Sequence, residues 1–335
     1  MHSVIPELLK IVLVRKQEPD TTVERIEAIA PGRIQVSRIT EEDEYTSQQR
    51  SILRGGHVAF VGAGCPVNLH ALMPSLIWVH ANFAGITDLN DRDFWGTNIV
   101  MTSARGHTDL DALAEMTLVG GLAVAKDLHI AARGNFDRRT GRENIRPLLA
   151  KGKTLGIVGL GGIGTSLAGL ARGMGMRVLA TKRSAVIRQA GVGAVDILYP
   201  STELRLLAAE CDFLAICAPA TPETYHIIDA AIFEALHDGA VLMNIARGDL
   251  VDEDAMLNAL DSGKLRGVYT DVYEGEQTQQ PSQRLANHPR ILRTPHVGSS
   301  SDKRSANRLQ VFLGNLRHLL ANEPLDNSVD WARGY

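Results

Sequence analysis

The chain has 335 residues, 44% of them hydrophobic and 22% charged, an ordinary balance for two domains that each bury a core. A formal net charge of −3 and an isoelectric point near 6.4 leave no basic surplus for a polyanion, so nucleic acid is not an expected partner. Three cysteines, Cys65, Cys211 and Cys217, are too few for a disulfide framework and lack metal-ligand spacing, which suits reduced thiols in the cytosol.

The opening MHSVIPELLKIVLVRKQ contains an apolar run shorter than a signal-peptide core, and KIVLV (10–14) within it reads as a strand. A helix over 21–30 and strands at RIQVSRI (33–39), HVAFVG (57–62) and LIWVHANF (76–83) follow, making a small α/β unit. From about Asp109 to Arg133 a long helical stretch is apolar all round its middle, as in a helix buried on more than one side or in a subunit interface. Its core, MTLVGGLAVA (116–125), is bounded by Glu115 and Lys126 and is about half the length that crosses a bilayer. No membrane partner is expected, and the protein is expected to be cytoplasmic.

A second series of strands comes next: TLGIVG (154–159), RVLAT (177–181), FLAIC (213–217), AVLMNI (240–245), GVYTDVY (267–273) and ILRT (291–294). The runs are continuous rather than alternating, the pattern of parallel strands covered on both faces. One intervening helix, 252–262, is opened by Asp252, Glu253 and Asp254 and followed by Gly263. The last helical stretch, about 301–322, is expected to return to the first unit.

GLGGIG (159–164) stands directly after a strand and opens a helix with Leu167, Leu170 and Ala171 on one face. In that context Gly159 allows the tight turn, Gly161 lets the backbone approach a pyrophosphate, and Gly164 lets helix pack on strand. The helix start at Gly162, Ile163 and Gly164 would offer N–H groups to the phosphates. About 20 residues on, where an NAD enzyme carries an acid for the ribose hydroxyls, the chain reads Lys182-Arg183-Ser184. Two cations and a hydroxyl suit the 2′-phosphate of NADP, so NADP(H) is the preferred cofactor, with NAD(H) the second choice. Solvated surface cations are the plainer alternative.

The motifs GLGGIG (159–164), CAPATPET (217–224), NIARGDLVDEDAM (244–256), GVYTDVYEGE (267–276) and TPHVGSSS (294–301), in this order, resemble the D-isomer-specific 2-hydroxy-acid dehydrogenases, and among them glyoxylate/hydroxypyruvate reductases. The chemistry of the residues agrees with that resemblance. Arg247, after a strand ending at Ala246, has a guanidinium able to hold a carboxylate in bidentate fashion and polarise a carbonyl. His296, after Thr294-Pro295, could protonate the carbonyl oxygen in reduction and take the alcohol proton in the reverse direction. The resemblance makes Glu276 the acid that pairs with His296, although spacing alone does not separate it from Glu274. A proline usually follows that glutamate; here Gln277 does. By the same resemblance Asp271 accepts a bond from the nicotinamide carboxamide, Pro219, Thr221 and Ala246 line the cofactor, and the backbone of Ala84, Gly85 and Ile86 holds the substrate carboxylate. The family commonly has Asp where this chain has Thr87.

The expectation is an α/β protein of two Rossmann-like domains with parallel sheets: a discontinuous substrate domain (1–106 plus 299–335) and a dinucleotide-binding domain (107–298). The active site would lie in the cleft between them. The implied activity is hydride transfer between NAD(P)H and a small 2-oxo acid, in a homodimer, without a metal. Two alternatives are a relative that oxidises another hydride donor such as phosphite, and a non-catalytic dinucleotide-sensing regulator.

Overall fold

The computed structural model describes residues 5–14, 20–40, 44–62, 64–83, 85–86, 89–104, 110–134, 137–302 and 304–331. The chain forms two compact units, Met1–Thr108 with Asp302–Tyr335, and Asp109–Ser301.

In the first unit β1 (Leu9–Val14), α1 (Asp20–Glu27), β2 (Ile34–Ile39), α2 (Ser47–Arg54), β3 (Val58–Val61), α3 (Leu69–Leu72), β4 (Trp78–Ala81) and β5 (Val100–Ser103) alternate. The five strands pair in parallel in the order β2-β1-β3-β4-β5. The sequence pattern misses β5, whose four residues VMTS carry too short an apolar run to stand out. β4 stops at Ala81, two residues before the expected end, and the chain turns through Asn82 and Phe83.

The second unit opens with α4 (Leu110–Ala125), α5 (Leu128–Arg133) and α6 (Arg138–Asn144). The single helix expected over 109–133 is therefore two. It breaks at Asp127, which takes a left-handed φ of 54°. The Asp127 carboxylate receives the Arg146 N–H (2.9 Å) and pairs with Arg266 (2.7 Å), contacts that a continuous helix would forgo. The apolar middle of α4 lies flat on the second sheet because it carries Gly120 and Gly121. A Cβ on Gly120 would stand 2.3 Å from the Tyr269 ring, and one on Gly121 2.1 Å from Met243 Sδ.

There follow β6 (Thr154–Val158), α7 (Gly162–Gly173), β7 (Arg177–Lys182), β8 (Gln189–Val192), β9 (Val195–Pro200), α8 (Leu204–Ala208) and β10 (Phe213–Ile216). Then come α9 (Ala230–Ala235), β11 (Ala240–Asn244), α10 (Glu253–Asp261), β12 (Leu265–Thr270), α11 (Gln283–Asn287) and β13 (Ile291–Arg293). The sheet order is β13-β12-β11-β10-β6-β7-β9-β8. Seven strands are parallel; β8 folds back antiparallel on β9 as an edge hairpin, an exception to the all-parallel expectation. Its residues QAGV are mostly exposed, so no buried run marks it in the sequence. Asp252 caps α10 by accepting the Ala255 N–H at 3.0 Å, as its position implies. Cys211 is fully buried in this core, where burial pushes its thiol pKa up and leaves it a small hydrophobe.

Finally α12 (Arg304–Leu320) returns to the first unit and makes it discontinuous. Leu309, Phe312, Leu313 and Leu316 pack against Leu9, Ile11, Phe60 and Trp78, with the Phe312 and Trp78 rings stacked at 4.9 Å. Among the described residues, no helix is long and apolar enough to cross a membrane.

Candidate active site

The strand register of the second sheet sets the site. Arg293, Thr270, Asn244, Ile216, Val158 and Thr181, each at or next to the C-terminal end of its strand, pair successively in one row across six strands. Every loop that carries a candidate residue of this unit leaves from that row. The chain winds outward from β6 in both directions, so the sheet's topological switch point lies between β6 and β10, where open α/β sheets bind ligands.

At β6 the GLGGIG turn has the geometry its glycines suggest. Gly159 sits at φ +99°, and a Cβ there would press on the Ala218 backbone at 2.9 Å. Gly164 lies so close to the strand end that a Cβ would stand 2.4 Å from the Gly159 carbonyl oxygen. Gly161 is different: a Cβ there meets no protein atom within 4 Å, so the absent side chain leaves open space above the turn. No side chain caps the start of α7. The first-turn N–H groups of Gly162, Ile163 and Gly164 are therefore donors without an intrahelical acceptor. A cradle with open room, orphan donors and a helix dipole fits a dinucleotide pyrophosphate.

Thr181, which the sequence reading passed over, ties the end of β7 to this turn. Its carbonyl accepts the Leu160 N–H at 2.9 Å and its hydroxyl lies 3.3 Å from the Gly159 N–H. The next residues are the exposed Lys182, Arg183 and Ser184, at the edge of the cradle. In the β10 loop, Thr224 Oγ1 accepts the Thr221 N–H (2.8 Å) and donates to the Pro219 carbonyl (2.8 Å), which shapes Pro219 and Thr221 into a compact turn.

Arg247 follows β11 in extended backbone, φ −148° and ψ 148°. The buried side chain of Asn244, also missed from the sequence, brackets this segment: it accepts the Ala246 N–H at 3.1 Å and donates to the Arg247 carbonyl at 2.8 Å. The half-buried Arg247 guanidinium donates to the Ala246 carbonyl at 2.7 Å and has no carboxylate partner among the described residues. It remains available for an anion.

His296 and Glu276 meet: Nδ1 lies 2.8 Å from Oε1. The histidine side chain is 49% exposed and the glutamate 13%. The hydrogen bond that His296 donates to Glu276, opposed by burial and assisted by the carboxylate charge, raises the His296 pKa above its ordinary value. His80, in the core of the first unit, shows the opposite behaviour, since burial lowers it to about 3 and keeps it neutral. Glu274 is not the partner of His296. Its two oxygens face Tyr225 Oη (3.0 Å) and His226 Nε2 (3.2 Å), so the geometry separates two acids that spacing left open.

Asp271 is 2% exposed, and its carboxylate accepts from the Thr294 hydroxyl (2.5 Å), the Val297 N–H (2.9 Å) and the Gly298 N–H (2.7 Å). Its carbonyl accepts the His296 N–H at 3.0 Å, and His296 takes a left-handed φ of 54°. Asp271 thus serves first to hold the loop that presents His296; with three internal donors, its carboxylate has about one acceptor position left for a carboxamide. Thr294 is a further residue that sequence reasoning did not single out, although it stands inside the TPHVG motif.

In the first unit Ile86 is buried and Gly85 half-buried after β4, while Ala84 and Thr87 lie outside the described residues. Among the described residues no three His, Cys, Asp or Glu side chains gather where they could hold a metal.

Comparison with known proteins agrees with this geometry. Residues 120–298 match the family model described as D-isomer specific 2-hydroxyacid dehydrogenase, NAD binding domain. The chain is 31% identical over 256 residues to the 4-methyl-2-oxopentanoate reductase A of Aspergillus oryzae, covering 74% of each chain. It is 30% identical over 232 residues to the D-3-phosphoglycerate dehydrogenase of Synechocystis sp., covering 69% of this chain but only 40% of that relative. The crystal structure of an NADPH-dependent glyoxylate/hydroxypyruvate reductase from Sinorhizobium meliloti, in complex with NADP and sulfate, superposes with a TM-score of 0.78. That structure is 25% identical, and the superposition covers 97% of this chain and 100% of the other. With the family model spanning more than half of it, the chain belongs to the D-isomer specific 2-hydroxyacid dehydrogenases, a family of NAD(P)-dependent oxidoreductases.

Proposed function

We propose that this protein reduces a small 2-oxo acid to the D-2-hydroxy acid at the expense of NADPH, with glyoxylate and hydroxypyruvate the first substrates to try. The 2.8 Å contact between His296 and Glu276 carries this reading, because the carboxylate favours the charged, proton-donating form of the ring. Arg247 takes the substrate carboxylate and polarises the adjacent carbonyl, with the backbone of Ala84, Gly85 and Ile86 assigned to the same carboxylate. When bound, the nicotinamide supplies the hydride. His296 gives the proton on Nε2 to the substrate oxygen, while Glu276 retains the one on Nδ1 and so fixes the tautomer. The ring is then neutral and recovers its proton from solvent, which its 49% exposure permits.

The cofactor is assigned to Gly159, Gly161, Gly162, Ile163 and Gly164 for the pyrophosphate and to Lys182, Arg183 and Ser184 for the 2′-phosphate. Pro219, Thr221, Ala246, Asp271 and His296 complete its lining. The preference for NADPH is supported by the missing acid after β7 and by the NADP bound to the Sinorhizobium relative. We also assign the protein to the cytoplasm and to a homodimer, for which Val119 on α4 and Leu128 on α5, 60% and 57% exposed, offer apolar surface.

The test is the loss of NADPH and of NADH absorbance with glyoxylate, hydroxypyruvate and bulkier 2-oxo acids, in wild type and His296→Ala. Turnover that favours NADPH and falls by about 10²–10⁴ in the variant is the expected result. Tight NADPH binding without turnover of any oxo acid would refute the reading and favour a sensor or a dehydrogenase of another donor.

A further inference from the structure

Glu274 and Glu276 straddle Gly275, which takes a left-handed φ of 72°. Their side chains part there, Glu276 toward His296 and Glu274 toward Tyr225 and His226. The turn between them has internal ties, Glu276 N–H to the Tyr273 carbonyl (3.3 Å) and Gln279 N–H to the Gly275 carbonyl (2.9 Å). Neither of these ties it to the rest of the unit.

Two contacts do. The loop of Arg247 lies directly against the turn: a Cβ on Gly248 would stand 1.9 Å from the Tyr273 carbonyl carbon. The second is Glu274 itself. Tyr225 and His226, whose rings stack at 3.9 Å, belong to the segment after β10, and the His226 N–H donates to the Asp249 carbonyl at 2.9 Å. The loops after β10 and β12 therefore meet at the Glu274 carboxylate, and the loop after β11 touches both through the Asp249 carbonyl and Gly248.

We infer that Glu274 is a positioning residue: its hydrogen bonds from Tyr225 and His226 anchor the 273–276 turn, so that Glu276 is held at His296 while Arg247 is held beside it. The inference rests on the roles proposed above for His296 and Glu276. An anchored carboxylate costs little further ordering when it meets the imidazole, whereas a free turn must be ordered each time. The charged groups that act most on His296 are Glu276, Arg247 and Asp271, whereas the Glu274 carboxylate bonds Tyr225 and His226, so we assign its influence to the turn.

The experiment is an NMR titration of His296 in the full-length protein carrying isotopically labelled histidine, with the signal assigned by His296→Gln. The variants are Glu274→Ala, Glu274→Gln and Tyr225→Phe. In Glu274→Ala the protonated fraction of His296, at a pH above its titration, falls about threefold or more, the worth of one lost tie. Tyr225→Phe keeps the charge, removes one bond and moves His296 the same way by less; added to Glu274→Ala it moves nothing further. The reductase reaction follows: kcat falls with the protonated fraction while the NADPH Kd stays within about twofold.

An His296 that titrates in the wild type at or below the ordinary histidine value overturns the Glu276 pairing itself. A raised His296 left unmoved by Glu274→Ala and Tyr225→Phe overturns the positioning role alone. Equal shifts in Glu274→Ala and Glu274→Gln with none in Tyr225→Phe would assign the effect to charge through space and also refute it. Tyr225→Phe decides the matter should Glu274→Ala fail to fold, because this ring is 57% exposed.

Discussion

Replacing Glu276 by Gln tests the proton donor with little change in shape. The amide oxygen still reaches Nδ1, which lies 2.8 Å from Oε1 in the native pair, but the charge is gone. A hydrogen bond to a charged partner is worth about 1.5–3 kcal/mol and a neutral one about 0.5–1.5. With the histidine side chain 49% exposed, solvent screening favours the lower end, a loss of about 1 kcal/mol. That is about fivefold in the protonation equilibrium of His296. Burial and the Arg247 charge remain, and both pull the pKa down. Reduction needs the charged ring, so its rate is lost as pH rises through the raised pKa, and in the variant it is lost at lower pH. Oxidation of the hydroxy acid needs the neutral ring, and its rising limb moves to lower pH as well. The assay is kcat/KM for NADPH-dependent reduction between about pH 6 and 9. Wild type and variant should converge at acid pH and differ about fivefold at alkaline pH. Limbs at the same pH in both proteins would refute the reasoning. Stability follows the same sign: a raised native pKa stabilises below the ordinary histidine value and the gain vanishes above the raised one. The variant's melting temperature should therefore trail wild type near about pH 6 and match it at alkaline pH.

Other perturbations separate the remaining roles. Gly161→Ala has room in the protein and should leave thermal melting unchanged while weakening NADPH binding in a fluorescence titration; unchanged binding would remove the cradle assignment. Gly164→Ala forces a Cβ to 2.4 Å from the Gly159 carbonyl oxygen and should lower stability by about 1–3 kcal/mol in denaturant unfolding. Lys182→Ala with Arg183→Ala should raise the NADPH Kd by about tenfold or more and leave that of NADH in place, since charge-assisted bonds of about 1.5–3 kcal/mol are lost to one cofactor only. Equal loss for both cofactors would mean that these cations do not read the 2′-phosphate. Arg247→Lys keeps the charge but not the fork, so KM for the oxo acid should rise and kcat fall together; retained kcat/KM would reassign the carboxylate.

Six of the seven parallel strands of the second unit were legible because burial on both faces leaves continuous apolar runs, and that burial is local information; β9, only partly buried beside the edge strand, was not. The GLGGIG turn was legible for the same kind of reason: three glycine positions carry backbone constraints that no other residue meets. β5 and the β8 edge hairpin were not, because four-residue strands and exposed edges leave no pattern against the background of loops. The break at Asp127 could not be read either, since its partners Arg146 and Arg266 lie 19 and 139 residues away in sequence.

At the site, residue types and motif order were enough to name Arg247, His296 and a nearby acid. The resemblance pointed to Glu276, but spacing did not separate it from Glu274, and the physical reason lies in the fold. Glu274 and Glu276 are chemically identical and two residues apart, and a left-handed glycine between them sends one to Tyr225 and His226 and the other to His296. The supporting residues Asn244, Thr181 and Thr294 emerged only in three dimensions, because each acts by bonding the backbone or side chain of a functional loop. By itself the sequence determined the long buried strands, the phosphate turn and the reactive groups, all of which are written in local pattern and chemistry. Pairing, loop support and the level row of strand ends were decided by the tertiary structure, because hydrogen bonds depend on where distant segments are brought together.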